Sequence, residues 1–391
     1  MAAGANLRFC GKGRSRLVRA LAVLLLLASA AAFSVRARAA DDLRYFRIGT
    51  AATTGTYFQI GGMLANVISK PPGSRDCDQG GSCGVPGLVA VAQATAGSIE
   101  NATEVSSGEL ESALVQAEIA HWAYGGSWPP APACAVPAPA AQQPGDAAQT
   151  IPAPPPSQNP ATAALPPGPL KNLRAIAARF PEYVHVVVRA ESGIRRIADL
   201  KDKRVALGEP GSGTLADARL VLEAAGLSEC DLKPSYRRLA QSAEALRRGD
   251  IDALILVAGY PVPAVADLAS LVKVRLLPVP AGFARALHAK YPFFTGGSIP
   301  GATYPGIDKE TPSVAVTALW IVRAETPEDL VYAITSALWQ PASRRILDGG
   351  HPAGRKILLA NALKGFDLPL HPGAARYYRE ISPPPAVEKK P

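Results

Sequence analysis

Along most of the chain, short apolar runs alternate with longer segments whose apolar residues recur every three or four positions. The runs are typical of buried strands, and the recurrences of amphipathic helices. The pattern predicts strands at 44–50, 88–92, 110–115, 173–178, 183–189, 204–207, 253–257, 272–278 and 314–323. It predicts helices at 57–69, 98–107, 116–124, 214–225, 241–248 and 326–339, with a helical turn at 197–200. Because the two kinds alternate throughout, we expect an α/β fold with largely parallel sheets.

Two of the helix starts carry capping residues. Ser98 is expected to cap the helix that begins there, because a serine side chain can accept a hydrogen bond from an unpaired N–H group. Thr214 opens a later helix, with Asp217 as a weak capping-box partner and Gly226 as its stop. These residues predict where the two helices begin and where the second ends.

The first 39 residues have the features of a secretory signal peptide. They contain seven basic residues and no acidic one. An apolar run at 20–33 follows the first five basic residues, and Ala37 and Ala39 are small residues at the positions that a signal peptidase recognises. The run is shorter than the ~20 residues of a membrane-spanning helix. We therefore expect export to the periplasm with cleavage near Ala39.

Removal of this segment changes the charge of the protein. The whole chain has 41 basic and 32 acidic residues, a net charge of +9. Without the seven basic residues of the signal peptide, 41 − 7 = 34 basic residues remain against 32 acidic ones, a net charge of +2. The excess of positive charge thus belongs mainly to the export signal, and it does not indicate a nucleic-acid partner.

Four cysteines remain after processing. Cys77 and Cys83 lie in a Gly-rich loop whose flexibility would allow disulfide geometry, and exported proteins keep disulfides. We expect these two to form a disulfide, because no nearby Cys or His completes a four-ligand metal site. The pairing of Cys134 and Cys230 stays open.

One segment differs sharply in composition. Residues 128–169 contain 14 of the 37 prolines and a single charged residue, Asp146. Such a segment has too few large apolar side chains to offset its ordering entropy. We expect an exposed, disordered insertion; a proline-rich ligand for a partner domain, or a cell-wall spacer, is the alternative.

Three loops join an apolar strand to a helix through small and hydroxylated residues. They lie at 50–57, 97–98 and 208–214. Backbone N–H groups at a helix start are unpaired and lie at the positive end of the helix dipole, so each loop is suited to an anion such as a carboxylate. Singly, such a loop is more often an ordinary turn. Three in one chain indicate a shared anion site if the fold brings them together.

Other site motifs do not fit the sequence. The third loop has the spacing G-x-x-G-x-G, which is neither the dinucleotide fingerprint nor a P-loop. Residues 80–84 match G-x-S-x-G literally, but neither a buried strand nor a helix flanks them. The five histidines are scattered without metal-ligand spacing. We therefore expect no catalytic residues, no metal and no cofactor.

Several segments resemble the TAXI family, the solute receptors of TRAP transporters, also described as extracytoplasmic immunogenic proteins. One is TAATTGTYFQIGGMLANVISK at 50–70; the others lie at 94–126, 172–227, 251–269, 299–323 and 361–380. Together they cover nearly the whole mature chain apart from the proline-rich segment. One departure is that Ala51, Ala52 and Thr54 stand in a loop that is usually richer in glycine. Their side chains would narrow that end of a pocket.

The resemblance implies a two-lobed type II periplasmic-binding-protein fold with a ligand cleft between the lobes. Lobe 1 would comprise 40–183 and 276–391, with the return crossover in the second of these, and lobe 2 would comprise 184–275. Loops at the carboxyl ends of strands would line the cleft, and Tyr57 and Tyr260 would clamp an apolar part of the ligand. By matching positions, the ligand-binding residues would be Thr53, Gly55, Thr56, Tyr57, Gly97, Ser98, Gln116, Pro210, Ser212, Gly213, Thr214, Gly259, Tyr260 and Pro261.

The function implied is that of a periplasmic receptor without catalytic activity. It would capture a small organic anion, a glutamate-like amino acid or a dicarboxylate, and deliver it to the membrane subunits of an ion-coupled TRAP transporter. Two alternatives keep the same fold: the ligand-sensing module of a signalling system, and an exported enzyme. The absence of a nucleophile, metal cluster or carboxylate pair at readable spacing disfavours the enzyme.

Overall fold

The computed structural model describes residues 43–128, 166 and 168–381. The predicted signal peptide, Cys134 and nearly all of the proline-rich segment lie outside these residues. Within the described ranges, no helix is long and apolar enough to cross a membrane.

The elements of the first part of the chain are strands and helices in alternation. They are β1 (Arg44–Gly49), α1 (Thr56–Ile68), β2 (Ser69–Lys70), β3 (Val85–Pro86), β4 (Leu88–Gln93), α2 (Ser98–Ser107), β5 (Ser112–Gln116) and α3 (Ala117–Gly125). Between α1 and β3, Cys77 and Cys83 form a disulfide with their Cα atoms 4.7 Å apart. The predicted pairing is confirmed.

The second part continues the alternation and adds several short elements. They are β6 (Leu173–Arg189), β7 (Arg204–Ala206), α4 (Gly213–Ala224), β8 (Lys233–Ser235), α5 (Leu239–Arg248), β9 (Ala253–Ala258), α6 (Pro263–Leu271), β10 (Val274–Leu276), α7 (Ala281–Lys290), β11 (Thr295–Ile299), β12 (Thr311–Arg323), α8 (Glu328–Trp339), α9 (Pro341–Gly349) and α10 (Pro372–Ile381). Among these, β8, α6, α7, β11, α9 and α10 were not predicted.

A ten-stranded sheet organises the described chain. Its strand order is β4-β1-β5-β12-β6-β9-β7-β8, with β10 on β6 and β11 on β12. The sheet is mixed, and the prediction of largely parallel strands is wrong at its centre. β1–β5, β7–β8 and β7–β9 are parallel, whereas β12 runs antiparallel to both β5 and β6, and β6 runs antiparallel to β9. The α/β class itself is confirmed.

The long strand β6 joins two halves of the sheet. We predicted two strands at 173–178 and 183–189, but the chain stays extended through the intervening residues because they continue the ladder with β12. The early part of β6 pairs with β12 beside β5, and its last part, from Tyr183 to Val188, pairs with β9. We call the side with β4, β1 and β5 the first half, and the side with β9, β7 and β8 the second half. The predicted lobe boundaries stay a prediction.

Buried side chains cover both faces of each half. In β6 the residues alternate: Val186 and Val188 pack with Val205 and Ile255 on one face, while Val187 packs with Leu254 on the other. This alternation is the period-two pattern of a strand buried on both faces. In the first half, two further clusters cover the two faces, one around Trp320 and the other around Leu319. The sheet is therefore a rigid support for the loops at its strand ends.

Candidate functional site

A cavity of about 90 Å³ lies where loops from both halves of the sheet meet. The loop before α1, the loop before α2 and the residue that ends β5 border it from the first half. From the second half come the loop before α4, the start of α5 and the last residues of β9. The three small-residue loops that the sequence identified thus converge on one space.

Nine of the predicted ligand-binding residues border this cavity. They are Gly55, Thr56, Tyr57, Gly97, Ser98, Gln116, Ser212, Gly213 and Thr214. The other five, Thr53, Pro210, Gly259, Tyr260 and Pro261, do not appear on its lining. A ligand-binding role for any of the fourteen stays a prediction.

Tyr260 packs away from the cavity. Its ring lies 5.0 Å from that of Tyr183, and Lys356 Nζ donates a 2.7 Å hydrogen bond to its hydroxyl oxygen while lying over its ring. The carbonyl of Pro261, the next residue, accepts a hydrogen bond from His351 Nε2 at 2.6 Å. In this structure Tyr260 therefore does not border the cavity beside Tyr57, and the expected clamp by these two residues stays a prediction.

The N-termini of α1 and α4 both face the cavity. Thr56 and Gly213 are their first residues, and we find no acceptor within the described residues for the backbone N–H group of either. Ser212 Oγ caps α4 by accepting from Leu215 N at 3.1 Å. The predicted cap of Thr214 with Asp217 is therefore wrong by two residues. Two helix starts with unpaired N–H groups remain available to an anion.

The N-terminus of α2 is occupied by the protein itself. The N–H groups of Ile99 and Glu100 donate to the carbonyl oxygen of Gly211, in the loop across the cavity, at 3.0 and 3.1 Å. Ser98 does not cap its helix, contrary to the prediction. Its hydroxyl oxygen instead accepts a hydrogen bond from the backbone N–H of Gln116 at 3.2 Å. In this conformation the N-terminus of α2 is therefore hydrogen-bonded to the opposite half of the sheet and is not open to a ligand.

Further hydrogen bonds join the two halves beside the cavity. The Thr56 hydroxyl donates to the carbonyl oxygen of Gly259. Gln116 Nε2 donates to Asp217 Oδ2 at 2.8 Å, from the end of β5 to α4. The glycine at 213 is required for this approach, because a Cβ there would lie 1.4 Å from Gln116 Oε1. The structure therefore shows the cavity closed by direct contacts between its walls.

Charged side chains border the cavity unevenly. Arg237, at the start of α5, is exposed and is the cationic residue of the described lining. Glu209 also borders the cavity and pairs with Arg238 at 3.3 Å. Burial raises the pKa of its carboxyl group to about 7. Glu182 is 2% exposed and accepts a 2.6 Å hydrogen bond from the Tyr57 hydroxyl. The cavity thus has a solvated cation at its mouth and carboxyl groups in its wall.

Burial sets the protonation of the Tyr57–Glu182 pair. Desolvation raises the pKa of Glu182 well above its usual value, although its hydrogen bond from Tyr57 acts in the opposite direction. The pKa of Tyr57 is also raised, by burial and then by the proximity of Glu182.

Among the described residues, no group of His, Cys, Asp or Glu is arranged to hold a metal ion.

The sequence matches a family model over residues 48–133 and 161–381. The model describes the NMT1-like family. The chain belongs to the NMT1-like family. The interruption in the match falls inside the proline-rich segment.

Three solved structures illustrate what the chain is similar to. The periplasmic aliphatic sulphonate-binding protein SsuA of Escherichia coli is 14% identical, with 79% of this chain and 80% of that chain covered and a TM-score of 0.37. PhnD1 of Prochlorococcus marinus, in complex with methylphosphonate, is 12% identical, with coverages of 86% and 98% and a TM-score of 0.44. An ancestral arginine-binding protein bound to arginine is 12% identical, with coverages of 78% and 97% and a TM-score of 0.39. Likeness at this level assigns no ligand and no residue role to the NMT1-like chain.

Sequence reasoning missed three charged residues on the lining of this NMT1-like site: Glu182, Glu209 and Arg237. One signal was present for Arg237. Residues 235–239 form a fourth loop that joins a strand, β8, to a helix, α5, as the other three loops do. No comparable signal marked Glu182, because it lies inside the long strand that we predicted as two.

Proposed function

We propose that the protein is an exported solute receptor that binds a small organic anion in the cavity between the two halves of its sheet. The observation that carries the proposal is that the N-termini of α1 and α4, which belong to different halves, face the same cavity. An anion held by both helix starts would stabilise the closed arrangement, because its contacts are complete only when both halves are in place.

A receptor of this kind needs no catalytic group. The lining supplies backbone N–H groups, the Thr214 hydroxyl and an exposed arginine, all of which can hold an anion without reacting with it. Ligand binding would convert the open arrangement into the closed one, and the transporter would bind the closed form. The substrate classes that we propose are glutamate-like amino acids and dicarboxylates.

The transporter and the compartment are parts of the same proposal. The TRAP membrane subunits are proposed as partners because of the sequence resemblance to the TAXI receptors. The periplasm is proposed because of the amino-terminal signal sequence. Recovery of a mature chain that begins at Ala40, identified by mass spectrometry of the exported protein, would support the second part.

Two threonines whose hydroxyl groups donate to carbonyl oxygens provide the test of the site. Thr56 borders the cavity and is 1% exposed, whereas Thr103 is an exposed residue of α2 off the lining. Replacing Thr56 by valine removes the hydroxyl that bonds to Gly259 and keeps the size of the side chain. Thr103→Val, which removes a hydroxyl that donates to the carbonyl oxygen of Ile99, is the matched control.

The experiment is a thermal-shift and calorimetric titration with L-glutamate, 2-oxoglutarate, succinate and methylphosphonate. We expect at least one compound to raise the unfolding temperature of the wild type and of Thr103→Val, and to bind Thr56→Val about tenfold more weakly, which is ~1.4 kcal/mol. If no compound stabilises the wild type, and native mass spectrometry finds no co-purifying small molecule, the receptor function is wrong. Equal affinities of the two variants would contradict the assignment of the site and leave the receptor function standing.

A further inference from the structure

Three carboxyl side chains are buried together beside the cavity. Glu118 lies on α3 in the first half, Glu182 on the strand that joins the halves, and Asp217 on α4 in the second half. Their exposed fractions are 0%, 2% and 0%. Carboxyl groups are almost never fully buried unless they are paired. A cluster of this kind therefore needs a physical explanation.

The hydrogen bonds of the cluster are incomplete. Asp217 Oδ2 accepts from Gln116 Nε2 at 2.8 Å, and Glu182 Oε2 accepts from the Tyr57 hydroxyl at 2.6 Å. Asp217 Oδ1 and both carboxyl oxygens of Glu118 have no hydrogen-bond partner within the described part of the chain. An ionised carboxylate in so buried a position would carry a large desolvation cost.

The charges that surround the cluster are all of one sign. The charges of Asp217 and Glu182 both raise the pKa of Glu118, and the charge of Asp217 raises the pKa of Glu182. Glu182 and Glu118 in turn raise the pKa of the buried Tyr57 hydroxyl. Among the described residues, no Lys, Arg or His lowers the pKa of these carboxyl groups. Burial, and then mutual repulsion, raises the pKa of Glu118 well above its usual value, and burial does the same for Asp217. The closed structure therefore favours the neutral acid forms.

The position of Asp217 connects this protonation to closure. Its bond to Gln116 runs between the two halves, and Gln116 borders the cavity. If the halves separate, that bond breaks and water reaches the carboxyl group, so its pKa returns towards the ordinary value of about 3.9. The open form would release a proton that the closed form must hold.

We propose that closure of the cavity takes up a proton, with the carboxyl group of Asp217 as the group that binds it. The inference rests on the proposed receptor function and adds a pH dependence to that same site. Tight binding then requires the acid form, and a rise in pH weakens binding without any change in the residues that contact the ligand.

The direction of the effect follows from linkage. A carboxyl group whose pKa is higher in the closed form favours closure most at a pH below its open-form pKa, and this advantage is lost as the pH rises through the closed-form pKa. Affinity should therefore fall between pH 5 and pH 8, by about tenfold per pH unit for each proton taken up. A ligand whose own cationic group met ionised carboxylates would give the opposite direction.

The test is calorimetric titration of the full mature chain with L-glutamate and succinate at pH 5, 6, 7 and 8. At each pH, two buffers of different ionisation enthalpy are compared, because proton uptake makes the observed heat depend on the buffer. Asp217→Asn keeps the size of the side chain and removes its titration. Asp267→Asn, an exposed position on α6, is the matched control.

We expect the wild type and Asp267→Asn to bind more weakly at high pH with buffer-dependent heat. Asp217→Asn should bind with a flattened pH profile and less proton uptake. If it does not fold, the pH profile and the buffer dependence of the wild type decide. A probe that binds with equal affinity at pH 5 and pH 8 and buffer-independent heat, or more tightly at pH 8, overturns the inference and leaves the receptor function standing. Absence of binding by every probe at every pH overturns the receptor function, and the inference with it.

Discussion

The backbone N–H of Ile99, at the start of α2, donates a 3.0 Å hydrogen bond to the carbonyl oxygen of Gly211, in the loop before α4. The acceptor belongs to the opposite half of the sheet. A helix start that would otherwise be open to an anion is thus used to hold the cavity closed. The wall of the site and the contact that closes it are therefore made by the same short loop.

Gly213 should control this closure. A Cβ at Gly213 would lie 1.4 Å from Gln116 Oε1 and 3.0 Å from Ser98 Oγ. We expect Gly213→Ala to lower the affinity for the stabilising compound at least tenfold, because the halves no longer approach. The unfolding temperature without ligand should be kept or raised slightly, since alanine in a helix is favoured over glycine by about 1 kcal/mol. Titration calorimetry and thermal unfolding measure the two effects.

Gly282→Ala is the matched control for that variant. It lies in the first turn of α7, where a Cβ would meet only an Arg285 nitrogen at 4.0 Å. This variant should bind like the wild type. Wild-type affinity of Gly213→Ala would show that the contact between the halves is not part of binding.

Arg237 should contribute to the rate of binding more than to its strength. Its side chain is exposed at the mouth of the cavity, so salt screens its attraction for an anion. We expect Arg237→Gln to slow association about tenfold or less at low ionic strength, with a difference that shrinks at high salt. Stopped-flow measurements at two salt concentrations test this. Arg285→Gln, at an exposed site on α7, should show no such loss.

The sequence predicted the loops of the site better than their chemistry. The small-residue loops before α1, α2 and α4 were located because small residues follow apolar strands. Their convergence was expected only from the family resemblance, because β1 and β5 run opposite to β7 and β9. The use of the α2 N-terminus by Gly211 was not predictable, because it depends on how two distant loops meet. Glu182 and Asp217 were missed as buried groups, because Glu182 falls in the predicted break between two strands and Asp217 was interpreted as a helix cap.

The sequence likewise predicted some strands of the sheet correctly and missed others. The apolar runs located most strands of the sheet, including β1, β4 and β9. They failed at Arg179–Glu182, where the strand continues through an irregularity in the ladder with β12 and then pairs Pro181 and Glu182 with Thr317 and Val316. They also missed β11, whose exposed residues Thr295, Gly296 and Gly297 carry no apolar signal. Pairing with β12, and not the local sequence, makes this segment a strand.

The buried carboxyl groups should make the unliganded protein less stable at high pH. The pKa of Glu118 is raised in the fold, so the folded state keeps a proton that the unfolded chain loses above its ordinary value of about 4.3. Stability should therefore fall as the pH rises through this range, by up to about 1.4 kcal/mol per pH unit for each proton retained. Urea unfolding at pH 5 and pH 8 should show a smaller difference for Glu118→Gln than for the wild type. An equal difference in the two proteins would contradict the raised pKa.

Arg179 should be a source of instability that the protein tolerates. Its side chain is 2% exposed, and its three guanidinium nitrogens have no hydrogen-bond partner within the described residues. The guanidinium carbon lies 4.5 Å from the ring centroid of Trp320, and burial lowers the pKa of the group to about 9. Because an unpaired buried charge is costly, we expect Arg179→Met to raise the free energy of unfolding at pH 7 by about 1–3 kcal/mol.

Two comparisons make this last prediction specific to the buried charge. Arg174→Met, on the same strand, removes an arginine that donates to the carbonyl oxygens of Lys171 and Leu173, and it should give no gain. The advantage of Arg179→Met should also narrow above pH 9. There the folded wild type begins to lose the proton that its unfolded chain keeps, so the wild type gains stability as the pH rises. A loss of stability in Arg179→Met at pH 7 would mean that a buried water or ion pairs with the guanidinium group.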